Sequence, residues 1–249
     1  MDLIDFNSTI QKVEDMEAIL HAKAMVKDIL ADVCPSHGYE HALNVLNHYD
    51  NAMKYKPYSM KPADIVAGRL ASLLHDVDDH KLFPNNRENE NAKKILEECG
   101  RGVDVNAVIR MIELVSASKN GDTIPSDALA APWLLYPRHC DRLEAIGEVG
   151  IARCLQYNKT IGSAMWAEKT LWPESEDDLW SRCATPEQYA RYHACGKSVS
   201  VIDHFYDKLL HVCPRNTGNR YLDEEGQRRL QPMVDFVMNA AKSRDTQKI

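Results

Sequence analysis

An apolar helical pattern in this sequence runs directly into a His-Asp pair. The stretch RLASLLHDVDDHKLF, residues 69–83, places His75 and Asp76 at the end of its apolar run and adds further ionisable groups behind them. Burying such a pair costs free energy unless something compensates its polar atoms. Imidazole nitrogen and carboxylate oxygen together suit a borderline or hard divalent cation. The pair therefore predicts half of a metal site.

A complete site needs ligands from other helices. The two neighbouring residues of the pair point about 100° apart on a helix, so both can reach one ion placed between them. The stretch CPSHGYEHALNVLNHY offers His37, His41 and His48 on one side of a helix, and periodicity does not choose among them. With Asp141 from a third helix, four ligands assemble and leave open positions for water and substrate, as a catalytic site requires.

The elements that must position these residues read as helices almost throughout. Apolar residues recur three and four positions apart in nearly every segment, and no alternating run is typical of a strand. Ser36 is a candidate N-cap, Thr185 and Pro186 mark another helix start, and Gly100 follows a helix end. Residues 161–184 hold three of the four Trp among acidic residues. That stretch is interpreted as a surface excursion packed by its own aromatic rings, or as a lid.

Composition narrows the class of protein. A net charge of −7 over 249 residues argues against binding to duplex nucleic acid. It does not argue against a nucleotide, because a metal ion and a few basic side chains can reverse the local charge. Seven scattered Cys without a CxxC pair fit reduced thiols. No secretory signal and no apolar run of about 20 residues stand out, so we expect a cytoplasmic protein without a membrane partner.

The order H…HD…D resembles that of the HD-domain metal-dependent phosphohydrolases, and more closely the bacterial YpgQ-like nucleotide pyrophosphohydrolases. Four stretches carry the resemblance in the right order, over about residues 15–240: SHGYEHALNV, LLHDVDDHKLF, CDRLEAIGEVGIARCLQY and SVSVIDHFYDKLLHV. In the first motif the second histidine is the ligand, which selects His41 over His37. The resemblance thus implies the metal ligands His41, His75, Asp76 and Asp141.

The same resemblance implies an architecture. We expect an all-α fold, a single HD-domain helical bundle over residues 1–249 with the metal site in a central cleft. Residues 158–197 are longer than in the family and are interpreted as an insertion or lid-like segment. Two further departures are His139 in place of an acidic residue and Asp78 in place of glycine. The departures leave the ligands intact and bear on substrate choice.

Roles for other residues follow from the matching family positions. Asp79 is expected to orient or deprotonate the attacking water, with Asp78 as its rival, and Lys81 to face phosphate. Lys208, His204 and Arg142 are expected to bind substrate. In the alternative interpretation His204 is a core histidine, and Arg142 holds a neighbouring carboxylate such as Glu144.

The resulting hypothesis is a metal-dependent phosphohydrolase of (deoxy)nucleoside triphosphates that releases pyrophosphate and the monophosphate. It uses one divalent ion, with Mn expected and Fe, Co, Ni, Zn or Mg compatible. Alternatives are another HD-type reaction on a nucleotide (phosphomonoesterase, triphosphohydrolase or phosphodiesterase) and a catalytically silent nucleotide-binding module. A dinuclear oxygenase would need further histidine ligands between Asp76 and Asp141. The histidines there are His80 and His139, and each is too near an existing ligand in the chain to serve, so this alternative is disfavoured. The expected partner is a small nucleotide substrate, and the sequence leaves open whether the protein forms a homodimer.

Overall fold

The structure is a computed structural model that describes residues 3–34, 37–100, 102–116, 120 and 123–246. Within these ranges the regular elements are helices, and no residue forms a strand, so the predicted all-α class is confirmed. No helix in the described part combines the length and apolar character needed to cross a membrane. The chain divides into two compact units, residues 1–141 and 142–249. The single-domain organisation stays a prediction.

The first unit is built around a buried central helix. Its helices are α1 (Leu3–Ile29), α2 (Tyr39–Ala52), α3 (Pro62–Leu74), α4 (Glu90–Glu98), α5 (Val105–Val115), α6 (Ser126–Ala130) and most of α7 (Tyr136–Glu144). Helix α3 is buried on nearly every side from Val66 to Leu74 and packs against α1, α2 and α5. A helix that is apolar all round belongs in a core. His75 and Asp76 therefore directly follow a helix that is packed against three others.

A glycine lets α2 lie unusually close to α3. A Cβ atom added at Gly68 on α3 would stand 2.0 Å from the hydroxyl oxygen and 2.2 Å from the Cζ atom of Tyr49 on α2. The Tyr49 side chain is fully buried, and its hydroxyl donates to the carbonyl oxygen of Asp64 at 3.4 Å. Since α2 carries His41 and α3 leads into His75, this close approach brings two histidine-bearing elements together.

The second unit contains longer and less regular helices. They are α8 (Gly147–Ile161), α9 (Glu176–Asp178), α10 (Pro186–Cys195), α11 (Val201–His204) and α12 (Arg220–Thr246), with π-helical turns at Leu179–Cys183 and Phe205–Leu209. Helix α12 packs on α8, and α10 packs on the second π-helical turn. π-helical turns often occur at functional sites.

Several local predictions about helix ends can be compared with the structure. Thr185 caps α10 by accepting from the backbone N–H of Gln188, with Pro186 at the first helical position, as predicted. Gly100 follows α4 with a φ of +98°, the left-handed conformation expected of a C-terminal glycine. Ser36 lies outside the described residues, and α2 begins at Tyr39 with Gly38 at the N-cap.

The Trp-rich stretch 161–184 is tied to α11 within the second unit. The backbone N–H groups of Val201 and Ile202 donate to the carbonyl oxygens of Ala164 and Met165, each at 3.0 Å. Trp166 and Trp172 pack edge to face, with ring centroids 5.9 Å apart. These contacts agree with the interpretation of a packed surface excursion, and a lid-like role for residues 158–197 stays a prediction.

Candidate metal centre

Side-chain donor atoms from three elements of the first unit lie close together, and those of His41, His75 and Asp141 are all within 4.8 Å of one another. Nε2 of His41 lies 3.3 Å from Nε2 of His75 and 3.2 Å from Oδ1 of Asp141. Oδ2 of Asp76 is 3.4 Å from Nε2 of His75 and 3.7 Å from Nε2 of His41. Nε2 of His75 lies 3.6 Å from Oδ1 of Asp141. The four predicted ligands are thus brought together.

The separations fit a coordination sphere. Ligands bonded at about 2.1 Å to one ion lie about 3.0 Å apart at an octahedral edge and about 3.4 Å apart at a tetrahedral edge. Two imidazole nitrogens and two carboxylates in this arrangement form a mixed nitrogen and oxygen donor set that suits a borderline or hard divalent cation. The His75, His41 and Asp76 side chains are 2%, 4% and 10% exposed, while Asp141 is 32% exposed. The donor set therefore suits a divalent ion that stays accessible to solvent on the side of Asp141.

The end of α3 fixes the form of His75. Nδ1 of His75 donates to the carbonyl oxygen of Ser72, 2.9 Å away, which is one of the last carbonyls of α3. With the proton on Nδ1, the Nε2 lone pair is free to bind a metal ion. Such an outer hydrogen bond sets both the tautomer and the ring orientation of a ligating histidine.

The neighbouring histidines also govern the charge of Asp76. Burial raises the pKa of the Asp76 carboxyl, but interactions with His75, His37 and His41 outweigh it and leave that pKa below its usual value. Asp76 is therefore held as a carboxylate, the form that ligates a cation.

His37 belongs to the cluster although the sequence interpretation set it aside. It lies in the turn before α2, and its Nδ1 atom donates to Oδ2 of Asp76 at 3.0 Å. With His41 and Asp76 it forms a second group whose donor atoms lie within 4.8 Å of one another. The i, i+4 spacing of His37 and His41 could have predicted that both histidines belong to the cluster. The sequence interpretation selected His41 as the ligand and gave His37 no role.

The turn after α3 separates the roles of two neighbouring carboxylates. Asp78 accepts from Nδ2 of Asn86 at 3.0 Å and from the backbone N–H groups of Asn91 and Ala92 at 2.9 and 2.8 Å. Asp78 thereby caps the N-terminus of α4. Asp79 instead accepts through Oδ1 from the backbone N–H of Lys81 at 2.8 Å, and the Lys81 side chain is exposed.

Two of the predicted substrate-binding residues, His204 and Lys208, contact the ring of Tyr192 in the second unit. The ring of His204 packs edge-on against Tyr192 at 5.6 Å, and Nζ of Lys208 lies 5.8 Å from the centroid of the same ring. Burial and the nearby Lys208 lower the pKa of His204 to about 4, so its imidazole is neutral near pH 7. Lys208 thus supplies the positive charge of this pair.

Arg142 is buried and directly follows Asp141 on α7. Glu144, the carboxylate named in the alternative interpretation of Arg142, forms an ion pair with Arg229 at 3.0 Å. A substrate role for Arg142 stays a prediction.

Comparison with solved structures defines the class of fold. An HD-superfamily hydrolase of Bacillus thuringiensis matches with a TM-score of 0.60 and 22% identity over 93% of this chain and 98% of that one. YpgQ of Bacillus subtilis matches with a TM-score of 0.59 and 20% identity over 92% and 96%. A complex of YpgQ with ADP matches at 18% identity with the same TM-score. The chain therefore has the HD-domain fold, and the resemblance to YpgQ is confirmed at the level of the fold.

Sequence comparison then places the chain in a family. No protein-family model matches it. Uncharacterized protein L803 of Acanthamoeba polyphaga mimivirus is 36% identical over 219 residues, which cover 82% of this chain and 87% of that protein. The chain belongs to the same family as this mimivirus protein.

Proposed function

We propose that this protein is a metal-dependent phosphohydrolase that acts on (deoxy)nucleoside triphosphates and releases pyrophosphate and the monophosphate. The observation that carries the proposal is that Nε2 of His41 and Nε2 of His75 lie 3.3 Å apart, and that each is within 3.2–3.7 Å of a carboxylate oxygen of Asp76 and of Asp141. These atoms would hold one divalent ion, with Mn expected. Bound there, such an ion acidifies a water molecule and polarises a phosphoryl oxygen.

The residues beyond the ligands supply positioning. Asp79 is the candidate for orienting the attacking water, since one of its oxygens is anchored by the Lys81 backbone and its side chain is partly exposed at 28%. Asp78 is the weaker candidate, because its carboxylate already accepts hydrogen bonds from two backbone N–H groups at the start of α4 and from the Asn86 side chain. Lys81 would attract phosphate through its exposed ammonium group.

A nucleotide substrate is supported by two observations. The structural neighbour YpgQ has been solved in complex with ADP. The second unit presents a cationic Lys208 beside an aromatic ring and a neutral His204. We assign Lys208 and Arg142 to charge neutralisation of the polyphosphate, and His204 to an uncharged hydrogen bond. Phosphoanhydride hydrolysis depends on such positioning and charge compensation.

A product analysis tests the proposal. The purified protein is incubated with Mn²⁺, or with EDTA, against all eight ribo- and deoxynucleoside triphosphates, and the products are separated by anion exchange. We expect monophosphate and pyrophosphate in the presence of Mn²⁺ alone. Nucleoside plus triphosphate would replace the reaction by triphosphohydrolysis, and absence of turnover with metal bound would refute catalysis on these substrates.

A pair of aspartate variants links turnover to the cluster. Asp76→Ala should lose both metal retention and turnover. Asp28→Ala, which removes an exposed carboxylate near the end of α1, is the matched control and should keep both. Full activity of Asp76→Ala would refute the assignment of the site.

A further inference from the structure

One hydrogen bond to the cluster comes from outside the four ligands. Nδ1 of His37 donates to Oδ2 of Asp76 over 3.0 Å, the shortest contact of that oxygen with any of its three neighbouring histidines. The backbone N–H of His37 itself donates to the carbonyl oxygen of Cys34 at 3.0 Å, which closes the turn that precedes α2. The backbone of His37 is thereby anchored next to the start of α2.

The oxygen that receives this bond is the one that faces the other ligands. Oδ2 of Asp76 lies 3.4 Å from Nε2 of His75 and 3.7 Å from Nε2 of His41. A carboxylate can rotate about its last torsion, which is broad, and can present either oxygen. A hydrogen bond to Oδ2 restricts that rotation and keeps one lone pair aimed at the space between the histidines.

We propose that His37 is a positioning residue that holds Oδ2 of Asp76 in its ligating orientation and thereby raises the metal affinity of the centre. The inference rests on the proposed metal-dependent function. His37 acts through its Nδ1–H group, whereas a ligating nitrogen would have to present a lone pair. Its exposure also sets it apart, because its side chain is 44% exposed and those of His41 and His75 are 4% and 2% exposed.

Three substitutions at one position separate a hydrogen-bond donor from a ligand. The amide nitrogen of asparagine occupies the place of histidine Nδ1, whereas that of glutamine occupies the place of Nε2. The apo forms of the wild type, His37→Ala, His37→Asn and His37→Gln are titrated with Mn²⁺ by calorimetry, without any nucleotide. Loss of an outer hydrogen bond to a metal ligand weakens binding by about 10–100-fold. We expect that loss for the Ala and Gln variants, and an affinity within about threefold of wild type for Asn.

His21→Ala is the matched control. His21 is 42% exposed and its Nε2 atom lies 3.3 Å from a carboxylate oxygen of Glu98, so it resembles His37 in exposure and pairing but lies outside the metal cluster. The affinity of the His21→Ala protein for Mn²⁺ should equal that of the wild type. The visible spectrum of the Co²⁺-loaded His37→Asn protein should also keep the wild-type band positions, since the ligand set is unchanged.

The outcomes that overturn the inference are distinct from failure of the proposed function. Wild-type affinity in His37→Ala, or in His37→Gln, would remove the positioning role. An Asn variant as weak as the Ala variant, with shifted Co²⁺ bands, would make His37 a direct ligand instead. A wild-type protein that binds Mn²⁺ and follows the expected series but turns over no nucleotide would support this inference and refute the proposed reaction.

Discussion

Nδ1 of His75 donates a hydrogen bond to the carbonyl oxygen of Ser72, 2.9 Å away. This one contact links the end of helix α3 to the metal centre. It satisfies a carbonyl group for which the helix has no further N–H donor, and it leaves Nε2 of His75 facing Nε2 of His41 at 3.3 Å. The stability of the helix end and the geometry of the ligands are therefore coupled.

That coupling predicts stabilisation by metal. A ligand at 100 times its Kd that binds the folded state alone adds about 2.7 kcal/mol, or about 5–10 °C in Tm for a chain of this size. We expect Mn²⁺ to raise the Tm by this amount and EDTA to reverse the shift in a thermal melt. His75→Gln should show no Mn²⁺-dependent shift, and a shift of wild-type size in that variant would contradict the ligand assignment.

The two acidic residues after the His-Asp pair should separate in their effects. Asp78→Ala should cost about 1–3 kcal/mol in the free energy of unfolding, because two backbone N–H groups at the start of α4 and the Asn86 side chain lose their acceptor. Asp79→Ala should change that free energy by less than about 1 kcal/mol and abolish turnover.

Denaturant titrations and initial rates of both variants check this separation. Asp78→Asn, which keeps one oxygen acceptor, is expected to fall between Asp78→Ala and the wild type in stability. If Asp78→Ala were fully stable and inactive, the catalytic role would pass from Asp79 to Asp78.

The partly buried His204 predicts a pH dependence of stability. Its pKa is lowered to about 4 from 6.5, so the unfolded state takes up a proton in this range that the folded state resists. Stability should fall as the pH drops from about 6.5 towards 4, by at most about 3 kcal/mol from this group. His204→Gln should flatten the dependence, measured by denaturant titration at several pH values. An unchanged slope in that variant would show that other groups account for it.

Close approach of α2 and α3 should be sensitive to one added methyl group. In Gly68→Ala the added Cβ atom would overlap the Tyr49 ring. Overpacking of this kind lowers the free energy of unfolding by about 1–3 kcal/mol. Because α2 and α3 must move apart, we also expect weaker binding of Mn²⁺. The double variant Gly68→Ala/Tyr49→Ala should be less destabilised than the sum of the single variants. Strict additivity would mean that the contact does not set the helix spacing.

Much of the local structure followed from the sequence. The apolar periodicity predicted helices, and the ends marked by Thr185, Pro186 and Gly100 were confirmed, because capping depends on residues within one helical turn. The ordered His and Asp residues also predicted which side chains meet. The order of these residues along the chain could predict their meeting because the resemblance covers four motifs in the order found in the family.

Only the tertiary structure decided the contacts between side chains distant in the chain. Periodicity could not tell that His37 would lie in a turn and bond to Asp76, 39 positions later. Nor could it tell that Asp78 would be used by α4 while its neighbour Asp79 was not. Adjacent residues in a turn point in different directions, and a single backbone torsion decides which carboxylate meets a helix end. Sequence thus predicted the types of ligand and their helices, and packing around α3 determined which atoms face one another.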